Sequence, residues 1–142
     1  MVFLGWIYAV IAGAAMSVQG VFNTRLSEKI GLMESNAFVQ GTAFVLSLIA
    51  VFIFGKGNFA LIGQADKLYL TGGVLGLAIT VTVMLSMSAL SPTAAVSAIL
   101  VSQLIVAAVI DYFGWFGSEK MSFGWEKYVG IALMIIGILL FK

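Results

Sequence analysis

Residues 68–110 carry no charged side chain, and the chain's one proline, Pro92, lies inside that run. No other feature constrains the fold as strongly. As a single helix the run would measure about 64 Å at 1.5 Å per residue, roughly twice the ~30 Å hydrocarbon thickness of a bilayer. It must therefore fold back on itself. Proline lacks a backbone donor and disfavours helix in the residue before it, so Ser91-Pro92 is the expected turn, between helices over about 68–90 and 93–113.

Three further uncharged runs, 1–24, 35–55 and 128–141, predict helices over about 3–22, 34–54 and 125–141. The last is short, and Trp125 with the stems of Lys127 and Lys142 extends it to the interfaces. The expectation is an all-α integral membrane protein, a single domain of five transmembrane helices spanning residues 1–142. Its solvent is lipid: 62% of residues are hydrophobic and 9% charged, against roughly 25% charged in soluble domains. Helix 1 has no preceding Lys or Arg and exceeds the apolar core of a cleavable signal, so it is expected to remain as a span.

The same composition excludes much chemistry. Without cysteine or histidine there is no thiolate or imidazole metal site and no histidine base, and no paired carboxylates meet in a span. No cofactor, no metal and no enzymatic activity are expected. Seven Lys/Arg against six Asp/Glu leave no basic field for nucleic acid.

The cations are evenly spread. Lys56, Lys67, Lys120 and Lys127 fall on the face that carries the N-terminus, and Arg25, Lys29 and Lys142 on the opposite face. So flat a distribution sets no orientation. With an odd number of helices it allows both insertions, hence an antiparallel pair equivalent to an inverted repeat; a paralogous five-helix chain is the other expected partner.

The segments 13–26 (GAAMSVQGVFNTRL), 72–76 (GGVLG), 102–117 (SQLIVAAVIDYFGWFG) and 130–139 (GIALMIIGIL) resemble the drug/metabolite transporter superfamily, in particular its small five-helix, YdcZ-like branch of inner-membrane exporters. The resemblance covers essentially the whole chain. It implies a ten-helix transporter made of two five-helix units, here joined by dimerisation in the bacterial plasma (inner) membrane. The glutamate that the four-helix multidrug branch embeds in its first helix has no counterpart here, because helix 1 is uncharged to Thr24.

Polar groups within spans face other helices or a water-filled path. Gln19 and Asn23 on helix 1, and Asn36 and Gln40 on helix 2, are each four apart and so share a face; Gln103 sits mid-span in helix 4. They are read either as interhelical glue or as an amide cavity binding a small polar, uncharged or zwitterionic solute. Asp111 is either a solvated helix end or a coupling carboxylate. Glu34 suits the dipole at the start of helix 2. Gly13, Gly72 and Gly76 belong to small-residue seams that let helices approach closely, and Met84 and Met87 could form an adaptable apolar wall. Secondary-type transport of a small organic solute, with lipid as the surrounding partner, is the leading functional reading. The alternatives are a channel and a non-transporting accessory subunit.

Overall fold

The computed structural model describes residues 2–122 and 124–140. They form five α-helices and three short 3-10 segments, with no strand among the described residues, and the chain divides into two compact units, Met1–Ala89 and Leu90–Lys142.

The first unit is a three-helix assembly of α1 (Val2–Ile30), α2 (Leu32–Phe54) and α3 (Gly72–Ala89), each packed against the other two. Helix α1 corrects the sequence expectation of 3–22. It continues through the predicted connection 23–33 and reduces it to a single residue, Gly31. Nothing in that stretch breaks a helix. Arg25 pairs with Glu28 at 3.1 Å, an i,i+3 contact, and Ser27 Oγ donates to the Thr24 carbonyl at 2.7 Å. The reversal waits for Gly31, whose φ of 103° a Cβ would strain. The Glu34 carboxylate folds back over Gly31, placing negative charge at the positive end of α2. At 29 residues, α1 measures about 43 Å, so its charged last turns project past the hydrocarbon.

The third predicted helix, 68–90, also changes at its start. Asp66 accepts from the Leu68 N–H at 2.9 Å and opens a 3-10 segment over Lys67–Thr71 before α3 begins at Gly72. Thr71 Oγ1 donating to the Leu68 carbonyl at 2.7 Å supports the tighter turn. A similar 3-10 segment, Phe59–Gln64, is capped by Asn58, which accepts from the Ala60 N–H.

In the second unit α4 (Pro92–Phe113) begins where the proline requires, one residue before the predicted 93–113. Ser91 Oγ accepts from the Ala94 N–H at 3.3 Å, and Pro92 occupies the first turn, where a missing donor costs nothing. Gly114, in the left-handed conformation, ends the helix. The Met121 N–H then donates to the Asp111 carbonyl at 2.9 Å and ties the following loop back to α4. Helix α5 covers Trp125–Leu139 and packs on α4; the predicted end at 141 lies outside the described residues.

Four helical stretches, Val2–Ile30, Leu32–Phe54, Lys67–Ala89 and Pro92–Phe113, are long and apolar enough to cross a membrane. Helix α5 has 15 residues, about 22 Å, which alone falls short of the hydrocarbon thickness. The burial pattern suits lipid. Large apolar side chains point outward, Phe52 being 88% exposed, while Asn23, Thr24, Ser35 and Asn36 are buried.

Candidate functional site

All the described buried residues of the first unit lie around the α1–α2 turn and the C-terminal half of α3: Gly20, Asn23, Thr24, Ser35, Asn36, Met84 and Met87. The helices meet closely because Gly20 has no side chain. A Cβ there would come within 2.7 Å of Met87 Cε and 3.3 Å of Val83 Cγ1, so the Met87 thioether lies directly on the α1 backbone. The near-absence of a connection between α1 and α2 sets Asn23 and Thr24 opposite Ser35 and Asn36.

The hydrogen bonds give this cluster a definite polarity. Thr24 Oγ1 donates to the Gly20 carbonyl at 2.8 Å. Ser35 Oγ donates to the Asn23 carbonyl at 3.2 Å, a bond between the two helices. Asn36 Oδ1 is buried without a partner, in a residue only 4% exposed. A buried acceptor left unpaired costs about 1–3 kcal/mol.

The predicted site residues fall into different places. Asn23 and Asn36 come together at the turn. Gln40 is half-buried and ties α2 to α3, its Nε2 donating to Thr80 Oγ1 at 3.5 Å, while Thr80 Oγ1 donates to the Gly76 carbonyl at 2.8 Å. Gln19 does not share Asn23's environment: it is exposed, because the close approach to α3 begins at Gly20. Gln103 is exposed on α4, in the second unit. Asp111 is partly exposed in the last turn of α4, followed by an aromatic rim in which Tyr112 meets Phe113 edge-on at 5.0 Å and Phe113 stacks on Trp115 at 5.1 Å. Of the three seam glycines, Gly76 lies 3.6 Å from Gln40 Nε2 by its missing Cβ, whereas Gly13 and Gly72 would meet no atom within 4 Å.

Sequence reasoning missed Gly20, Thr24 and Ser35. The signal for Gly20 was its place one turn before the Asn23-Thr24 pair. Among the described residues no three carboxylates gather into a cation site. The second unit holds an open apolar groove of about 390 Å³ between α4 and α5, lined by Ile105, Val109, Tyr112 and Tyr128 among others.

Several long apolar helices, with Asn23, Thr24, Ser35 and Asn36 buried, define a polytopic α-helical membrane protein. The family described as "Putative inner membrane exporter, YdcZ" matches residues 4–140. The chain belongs to that family and is an integral inner-membrane protein. No curated protein and no solved structure matches it.

Proposed function

We propose that the chain is a five-span subunit of a secondary-type transporter that exports a small organic solute and works as a dimer, most simply an antiparallel pair of identical chains. The observation that carries the reading is the hydrogen-bonding cluster buried at the α1–α2 turn, with the Asn36 acceptor left open, in a chain of an exporter family. A purely structural polar core would close its own hydrogen bonds. Three further observations support the pairing. Gln19 and Gln103 are exposed, and amides facing hydrocarbon are costly; Gly13 and Gly72 have room for a close neighbour; and five spans would divide the cations four to three between the two faces. Helix α5 completes a fifth span with Trp125 and Lys127 at its interface. Asp111, at the end of α4, is the candidate coupling carboxylate.

In this reading Gln19, Gln40, Asn23 and Asn36 of the first unit contact the solute, and Gln103 of the second unit is a further solute contact, tested separately. The test is flux of a broad solute panel in liposomes, with and without a proton gradient, for the native chain and Gln103→Leu. Saturable, competitor-sensitive flux that falls at least tenfold in the variant, with dimer yield unchanged, is the expected result. Non-saturating flux indicates a channel, and normal transport by Gln103→Leu reduces the amides to glue.

A further inference from the structure

The connection between the second and third spans is not built like a loop in water. Residues 55–66 join Leu32–Phe54 to Lys67–Ala89, two stretches long and apolar enough to cross a membrane, so both ends of the connection are held at one bilayer surface. Within it the six residues Phe59–Gln64 coil as a 3-10 helix, about 12 Å long at 2.0 Å per residue. Phe59, Leu61 and Ile62 are each more than half exposed. Three large apolar side chains within four residues make a patch that water disfavours, and the bilayer interface is the other solvent within reach of so short a connection.

With three residues per turn, Phe59 and Ile62 fall on one stripe. That stripe and the end of α2, through Val51 and Phe52, wall an open hollow of about 600 Å³, within the roughly 300–1,000 Å³ of small-molecule sites. The two walls do not close on each other, Phe59 being 69% exposed. Asn58, Gly55 and Gly57 form the remaining lining, and Lys56 stands between the two glycines. Asn58 spends its side-chain oxygen on the Ala60 N–H at 2.9 Å, so its NH2 is the group left to donate. Lys56 and Lys67 against Asp66 leave residues 55–67 with a net charge of +1. The carbonyls that end α2 precede these groups in the chain and accept from the donors of a headgroup.

We propose that the 55–66 connection lies in the bilayer interface and that its hollow is a phospholipid site, with an acyl chain against Phe52, Phe59 and Ile62 and phosphate oxygens at Lys56 and Asn58. Two observations favour a lipid over a protein partner. The lipid-facing surface of α2 continues into the hollow, through the exposed Phe52, Ile53 and Phe54. A helix about 10 Å across would displace roughly 900 Å³ over the length of the 3-10 segment, more than the hollow holds. The site stands apart from the amides of the transporter reading and does not depend on transport.

The full chain, which has no cysteine, is labelled with a nitroxide at Leu61→Cys, outside the hollow, in vesicles of phosphatidylethanolamine and phosphatidylglycerol. Dissolved oxygen, which concentrates in lipid, should relax the label several-fold more strongly than a water-soluble nickel chelate. Stronger relaxation by the chelate places the segment in water, and shielding from both reagents places it against protein; either overturns the proposal.

Headgroup recognition is read by native mass spectrometry of the full chain from micelles carrying phosphatidylglycerol, or diacylglycerol with the same acyl chains. Phosphatidylglycerol should be retained several-fold more than diacylglycerol. Lys56→Gln should lose most of that excess, Lys56→Arg should keep it, and Lys120→Gln, on another connection, should match the native chain. Phe59→Asn should reduce retention of both lipids. These side chains are exposed, so unfolding midpoints should stay at the native value. Equal retention of the two lipids, a Lys56→Gln chain indistinguishable from Lys120→Gln, or a Lys56→Arg chain as poor as Lys56→Gln refutes the phosphate site.

Discussion

Replacing Gly20 by alanine sets two effects of known sign against each other. In a helix interior alanine is favoured over glycine by about 1 kcal/mol, so an unobstructed site would gain stability. Gly13 is such a site within the chain, since an added Cβ there meets nothing within 4 Å. At Gly20 the same methyl would come within 2.7 Å of Met87 Cε, 2.9 Å of Met87 Sδ and 3.3 Å of Val83 Cγ1. The methionine tip can swing aside, but it is buried, and displacing well-packed core atoms costs about 1–3 kcal/mol. The expected net is a loss of about 0–2 kcal/mol for Gly20→Ala and a gain of up to about 1 kcal/mol for Gly13→Ala. Reversible unfolding in mixed micelles, at a detergent excess shown to keep the chain monomeric, measures both. In a Met87→Ala background, which removes the obstructing atoms, Gly20→Ala should become neutral or stabilising, a coupling of about 1–2 kcal/mol in a double-mutant cycle. If Gly20→Ala is as stabilising as Gly13→Ala, or its cost survives removal of the Met87 side chain, the packing argument fails.

Gln40→Leu should cost only about 0.6 kcal/mol, the average for an interhelical bond in lipid, because its partner Thr80 keeps its own bond to Gly76; unfolding in the same micelles reads this, and a loss several times larger would show a deeper role. Asp111→Asn should abolish uphill, gradient-driven transport while leaving downhill exchange intact, and unchanged accumulation ratios would return Asp111 to the role of a solvated helix end. Gly57→Cys and Ser118→Cys, each introduced singly into this cysteine-free chain, should react with an impermeant thiol reagent from both sides of the membrane, and labelling from one side only would refute dual insertion.

The parts of the fold legible in the sequence were those decided by single residues. Pro92 removes a donor wherever it stands, and Ser91 before it is the natural cap, so the start of α4 was fixed to within one residue. Uncharged runs located the other helices because a bilayer excludes charge. The end of α1 was not legible in this way. Arg25, Glu28 and Lys29 resemble a loop by polarity, yet their spacing suits a helix that has left the hydrocarbon, and only Gly31 can reverse the chain. The site was half legible. Large amides advertise themselves in a membrane span, so Asn23 and Asn36 were found. Thr24 and Ser35 were passed over because their protons go to backbone carbonyls, a choice that no side-chain pattern records. The exposure of Gln19 beside the burial of Asn23 depends on where α1 first touches α3, and that contact joins residues far apart in the chain.

The single-residue turn at Gly31 also bears on how the protein is made and inserted. With no slack between them, α1 and α2 cannot enter the bilayer one at a time in independent orientations; they must go in as a hairpin, with Asn23 and Asn36 locked at a common depth near the tip. Asn36 lies about 6 Å along α2 from its first residue, closer to one membrane surface than to the midplane. An antiparallel pair would then carry two copies of the cluster, one beneath each surface. A solute crossing such a pair would meet the same chemical checkpoint on entering and again on leaving, and the two checkpoints would be interchangeable by the symmetry that relates the chains.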